Sequence, residues 1–538
     1  MTTAPTGSIF STQSLRIQEI INKGIDVLLP SLDPAWRDSI VSSQGVIPAS
    51  AIGRDMKMIK VYMSGLTGVF ESAASRDDFV LYGDDALGGT GFPAAAAGIP
   101  ANLFLQGVSQ TFPSPLEGPN QAPFRLGVGM RAMVGSIMLT LGELQAEALP
   151  ALIGEIIAPK MEGFARKIAH TLCNYWYLSQ NSYYSLAVMG TATTATVNAN
   201  ANYTIKFNPQ NLATNRFAVG QRVDIYDTTG ATRRNSNGGA RIWLYVTKVD
   251  KLRNEVTLTT TVGGAVPTAP SGWSLATTDI VVLANSKGTA NTPYASSPYF
   301  TGIAGINSWL KTGSGSDDNY LLGGERDTSN YIDVTAYPQF KSMSYSLGGN
   351  ALTEHTLRKI FRRWNVAKAD EGYEIDYVVA SDGVWLAYEA TKIGQYRLDR
   401  TERVSSLKSE GSSNSMKDEV TYHYDGKTYT FATSAFVESG TAYMYKRGGN
   451  NWKRMIPPSP KGVSRFDRSE SFAPFEFVAS ALTGLATNQI PIFQTVNNQN
   501  LLTEAVQMPG MLRMQLVPDQ PCGIKLTNIA EDRLYSDN

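Results

Sequence analysis

Between Leu149 and Trp176 apolar side chains return mostly every four positions: Leu149, Leu152, Ile156, Phe164, Ile168, Leu172 and Trp176, with Lys160 in the same row. Ile153, Ile157 and Met161 widen the stripe, while Glu155, Glu162, Arg166 and Lys167 lie mostly off it. This spacing predicts a one-sided amphipathic helix. About 30–36 residues at a rise of about 1.5 Å each would span roughly 45–55 Å. Pro150 can open its main segment. Pro159 removes one backbone hydrogen bond and predicts a kink. Such a rod suits a spine crossing a flat subunit better than a member of a packed bundle.

Upstream, Leu15, Ile17, Ile20, Ile21 and Ile25 fall at helical spacings, with Pro30 expected as the stop. A second short helix is expected from Asp33 as N-cap and Pro34 at the first helical position. Residues 71–125 contrast with this. Stretches such as YGDDALGGTGFPAAAAGIP and TFPSPLEGPNQAP interrupt every apolar pair with Gly or Pro, so they cannot build a core of their own. A loop of that length needs a reason, and draping over a neighbouring chain would be one. RAMVGSIMLTLG (131–142) reads as a strand leading into the long helix.

Downstream, VGQRVDIYD, RIWLYVTKVD, NEVTLTT and DIVVLA are short β-rich runs between turn residues, predicting a small antiparallel β-domain over 191–290. TEHTLRKIFRRW predicts a helix with Leu357, Ile360, Phe361 and Trp364 on one face. YEIDYVVAS reads as a strand, and SDGVWLAYEATKIG as a helix capped by Ser381 or Asp382. Residues 401–420 are polar and read as a mobile loop. VTYHYDGKTYTF reads as a hairpin turning at Asp425–Gly426. The remainder reads as strands and coil, an α+β chain without internal repeats.

Composition narrows the chemistry. The 538 residues suffice for two to four packed units. Lys plus Arg and Asp plus Glu both total 47, so no overall imbalance points to a nucleic-acid or membrane partner. Two cysteines, Cys173 and Cys522, make no disulfide framework, and Cys173 reads as a small core residue. The N-terminus lacks the pattern of a signal peptide, and no apolar run approaches the roughly 18–20 residues that span a bilayer.

His170, His355 and His423 are far apart in sequence and read as structural or exposed; no zinc spacing exists. Gly127–Ala132 (GVGMRA) formally fits a dinucleotide-binding pattern, but the residues after it read as a strand rather than a helix. Phosphate-loop and nucleophile-elbow motifs are absent from the sequence. Arg76–Asp78 and Gly83–Asp85 could offer carboxylates to a cation, yet read as solvated loop residues. Arg358–Arg363 could touch nucleic acid, yet reads as a solvated helix face. No catalytic, cofactor-binding or metal-binding residue is assigned, no cofactor is expected, and the chain does not read as an enzyme.

The order of elements resembles the major capsid proteins of tailed double-stranded DNA bacteriophages, the Hong Kong ninety-seven fold. FAVGQRVDIYD with VTKVDKLRNEVTLTT and TTDIVVLANSKG resembles the β-insertion of many such subunits. YFTGIAGINSWL, GGERDTSNY and ALTEHTLRKIF resemble the segment after it, and YEIDYVVASDGVW the axial strand and helix. The resemblance runs from about residue 60 to the end. It implies an N-terminal arm (1–70), an extended loop of β-hairpin type (71–141), a spine helix of the peripheral domain (142–190), an inserted β-rich domain (191–290), and an axial domain with the rest of the peripheral domain (291–538). It further implies self-assembly into pentamers and hexamers, an icosahedral shell in the virion, nonspecific contact with packaged DNA, synthesis in the host cytoplasm and no membrane partner. Portal, scaffold and decoration proteins would be its neighbours. Some family members weld subunits through a loop lysine; here no lysine occurs between Lys60 and Lys160, so that link is not expected. The alternatives are a subunit of an encapsulin-like nanocompartment, another phage structural protein, or an αβ enzyme, the last lacking a clustered catalytic set.

Overall fold

The computed structural model describes most of residues 21–41, 150–177, 203–259, 276–284, 303–313, 331–368, 372–396, 419–456 and 505–532, together with the shorter strands named below. The long helix, α1, is Pro150–Tyr177, about 42 Å of rod that continues through Pro159 without a break in assignment. Its buried seam is Met161, Ala165, Ile168, Ala169, Leu172, Cys173 and Trp176. Lys160 and Arg166 are exposed and Phe164 is half-buried. The predicted row thus gives the seam Ile168, Leu172 and Trp176, and the widened stripe gives it Met161, while Lys160 and Phe164 fall outside. Four residues advance about 400°, so such a row drifts round the helix, and a straight seam must mix steps of three and four. The last turn differs again: Leu172 through Tyr177 are all buried, so the rod ends inside the core.

Upstream, helical turns carry Ile21, Ile25 and Leu29 into that core. They continue past Pro30 to Leu32, against the expected stop; the break comes at Asp33, whose N–H still reaches the Leu29 carbonyl. Asp33 then caps Pro34–Trp36, its carboxylate accepting from the Ala35 N–H, and Arg37–Val41 continues as wider π-type turns. Gly24 passes close to α1 at Ala165. The region is not helical throughout, because Val46–Pro48 and Arg54–Ile59 are strands.

A central six-stranded sheet runs in the order Met343–Ser346, Ile524–Thr527, Ala442–Tyr445, Tyr377–Ala380, Lys427–Thr433, Glu419–Tyr424. Period-two alternation divides its side chains between two cores. Val378, Ala380, Tyr429, Phe431, Met444, Ile524 and Leu526 face one, which is covered by α2 (Glu354–Lys368) and α3 (Asp382–Tyr396). Leu357, Ile360, Phe361 and Trp364 of α2 are buried there as the sequence predicts, and Phe361 stacks on Tyr429 at 3.9 Å. Thr353 caps α2 through its hydroxyl. The hairpin turns at Gly426, whose φ of +74° suits a residue without a Cβ. Tyr377, Val379, Ala432, Tyr443 and Tyr445 face the second core, shared with α1 and the N-terminal helices.

A second sheet is organised by Ala505–Pro518, which pairs antiparallel with Arg131–Thr140 from Ala505↔Thr140 to Met514↔Arg131. The same strand also takes Trp452–Ile456, Phe475–Phe477 and Gln494–Val496, and Val46–Pro48 joins Trp452–Ile456 in parallel. Separately, Arg54–Ile59 pairs antiparallel with Phe124–Gly129, from Arg54↔Gly129 to Ile59↔Phe124. The four β-rich runs of the expected insertion all form strands, Arg222–Tyr226, Leu244–Asp250, Glu255–Thr259 and Ile280–Leu283. They lie in one seven-stranded antiparallel sheet, which also takes in Ser185–Val188 and Tyr203–Lys206. The carboxylates of 76–78 and 83–85 and the polar stretch 401–418 lie outside the described residues.

Candidate functional site: the seat of the N-terminal arm

The densest meeting of chain-distant elements is where α1 ends. Trp176, fully buried, is its hub. Its ring lies 5.5 Å from Trp36 of the N-terminal arm, 4.7 Å from Trp452 and 6.2 Å from Tyr445, each a tilted or edge-on contact. Such geometry adds about 0.5–1.5 kcal/mol per pair beyond area burial. Gly305 lies flush on the same helix end, where a Cβ would collide with the backbone of Tyr175 and Trp176.

Polar groups are threaded through this apolar joint. Asp33, fully buried, accepts from the Tyr177 hydroxyl at 3.1 Å as well as from Ala35 N–H. Asp38 accepts from the Tyr377 hydroxyl at 3.1 Å and lies 3.5 Å from the Arg447 guanidinium, which in turn stands over the Tyr377 ring. Buried Ser39 shares a 2.8 Å hydrogen bond with the Tyr445 hydroxyl. One short arm segment is thus fastened to α1 by Asp33 and to the central sheet by Asp38 and Ser39.

Burial governs the titration of these groups. It raises the Asp33 carboxyl to about 7, with the Ala35, Tyr177 and Ser434 hydrogen bonds pulling the other way and the Asp38 charge adding to the rise. Burial also raises Tyr177, Tyr377 and Tyr445, and pushes the Cys173 thiol well above its ordinary range. Cys173 and Cys522 are both buried and outside any disulfide, which gives neither the reactivity of an exposed thiolate.

The residues singled out by chemistry do not converge. His170 is partly buried; its Nε2 lies 3.1 Å from the Asn215 carbonyl and its Nδ1 3.3 Å from Asn174, and burial lowers its pKa. His355 is exposed, and His423 lies on the strand Glu419–Tyr424. Gly127–Ala132 spans two strands, one paired with Arg54–Ile59 and the other with the C-terminal strand, so no helix N-terminus follows it for a phosphate. Arg358, Arg362 and Arg363 are exposed on α2; Arg358 is held by Glu354 and the Tyr422 hydroxyl, and Arg363 stands over the Tyr345 ring. Among the described residues no group of three or more His, Cys, Asp or Glu is placed to hold a metal ion, and no helix is long and apolar enough to cross a membrane. The sequence marked Asp33 as a cap; nothing in it marked Tyr177, Tyr377 and Tyr445 as the groups that meet the arm.

No protein-family model matches the sequence, and neither does any curated protein. Among solved structures, the capsid asymmetric unit of cyanophage A-1(L) aligns over 79% of this chain and 85% of its own, at 10% identity and a TM-score of 0.30. The holo-SrpI encapsulin complex from Synechococcus elongatus PCC 7942 aligns over 36% of this chain at 11% identity and a TM-score of 0.20. The chain spans 56% of that encapsulin's length.

Proposed function

We propose that the chain is the major capsid protein of a tailed bacteriophage, a shell subunit that assembles as pentamers and hexamers around double-stranded DNA. The observation that carries this reading is the ladder between Arg54–Ile59 and Phe124–Gly129. It closes the two ends of residues 60–123, which hold most of the stretch 71–125 whose Gly and Pro content precludes a core of its own. Phe104, Leu105 and Phe112 in that stretch then need a surface elsewhere, and a neighbouring subunit supplies one. Burial there gives about 25 cal/mol per Å² of apolar area, much of it offset by ordering, and repetition over many copies makes modest contacts sufficient. α1, running from the second sheet into the central core, supports the same reading as the rod that holds the tile flat. With no lysine between Lys60 and Lys160, the loop would bind its neighbour without a covalent link.

Electron microscopy and light scattering of the purified full-length protein, alone and with its viral neighbours, test the reading. Rings or closed shells are expected, with DNA inside particles taken from infected cells. A stable monomer or dimer under all these conditions refutes it. Closed shells that enclose a protein and no DNA would instead assign the chain to a nanocompartment.

A further inference from the structure

The Asp33 seat has a consequence that does not depend on the shell reading, because it concerns the fold of a single chain. A carboxyl group is fully buried at a joint between three elements, where it accepts from uncharged donors, the Ala35 N–H and the Tyr177 hydroxyl. The groups around it come from every side. The arm itself contributes Asp38, with Arg37 bonded to that carboxylate; α1 contributes Cys173 and the Tyr177 hydroxyl; the central sheet contributes Tyr377 and Tyr445; the following loop contributes Ser434. The Arg447 guanidinium, just past the strand Ala442–Tyr445, is engaged with Asp38. Ionised, Asp33 would put a second negative charge beside Asp38 in an apolar pocket. Every donor that reaches it, Ala35, Tyr177 and Ser434, is uncharged, so no cation balances the ionised form, whereas the neutral acid still accepts from Ala35 and Tyr177 through Oδ1.

We propose that a proton on Asp33 latches the N-terminal arm, and that its loss loosens Asp33–Val41 from α1 and the central sheet. The direction follows from linkage. The docked carboxyl holds its proton up to about pH 7, whereas an undocked aspartate releases it near its ordinary value of about 3.9. The latch is therefore at full strength below about pH 4, weakens as pH rises towards 7, and changes little above that. For one group the undocked fraction should rise roughly 80-fold between pH 5 and pH 8, most of it below pH 7.

Hydrogen exchange of the full chain, followed by mass spectrometry on peptides covering 29–41 and corrected for the intrinsic pH dependence of exchange, reads this directly. Wild-type protection in that segment should fall by about that factor from pH 5 to pH 8. Asp33→Asn keeps the capping oxygen, mimics the neutral acid, and should hold its protection constant to within about twofold. Wild-type protection that is flat with pH, or an Asp33→Asn curve that follows wild type, overturns the proposal. Should Asp33→Asn not fold, Tyr177→Phe decides. Removing that donor makes the ionised form harder to hold, so the midpoint of the wild-type curve should move to higher pH, and an unmoved midpoint overturns the latch.

Discussion

The two faces of the central sheet are built on different plans. The face under α2 and α3 is made largely from one stretch of chain, residues 343–444, with the strand Ile524–Thr527 added. Its rings stack closely, Phe361 on Tyr429 and Tyr388 on Phe431. The opposite face is assembled from Ile21 to Ile40, α1, the insertion sheet, Ile303–Leu310, Trp452 and Leu512–Val517. Hydroxyls and carboxylates run through it where the arm docks. A local apolar core needs few distant partners and gives a rigid platform. A core gathered from remote segments has joints, and its joints are where shape can change.

Substitutions can separate the two plans. The largest effect is expected for Gly305→Ala, since any Cβ there meets the α1 backbone rather than a movable side chain. A loss of more than about 5 kcal/mol is expected, enough to abolish soluble yield or remove most of the denaturation midpoint. Next, Trp176→Ala and Phe361→Ala should each cost about 3–5 kcal/mol, one on each face. Only Trp176→Ala should expose the arm to protease at low denaturant, because Trp36 packs on Trp176 and not on Phe361. Equal arm cleavage in both variants would mean the two faces unfold as one unit. Smallest is Arg358→Ala. Its ion pair with Glu354 is largely exposed and its hydrogen bond to the Tyr422 hydroxyl is only part-buried, so the denaturation midpoint should fall only slightly, by less than in any of the variants above.

The sequence disclosed what local spacing encodes. The α2 face, the Asp425–Gly426 hairpin, the Asp33–Pro34 helix start and the four insertion strands were all legible from periodicity and turn chemistry. What it withheld was partnership. RAMVGSIMLT announces a strand, but its partner is Ala505–Met514, and alternation cannot say which distant strand will satisfy an edge. Arg54–Ile59 opens on two charged residues, Arg54 and Asp55, and alternates only over Met56–Met58; its strand is set by Phe124–Gly129 beside it. Only part of the α1 row, Ile168, Leu172 and Trp176, lies on the seam, because an i+4 row looks straight in sequence and spirals in space. Arm seating escaped for a related reason. A tyrosine reads as an aromatic core residue until the carboxylate that it bonds is known.

The pairing of Arg131–Thr140 with Ala505–Met514 also sets an order of events during synthesis. The earlier strand leaves the ribosome with its hydrogen-bonding edge open, and its mate emerges only after a delay on the order of tens of seconds, at about 5–20 residues per second. Until then that edge is a template for mispairing with other nascent copies, and the polypeptide must be sheltered or kept dilute. Arrival of the late strand closes the edge, so an incomplete translation product would lack a finished sheet.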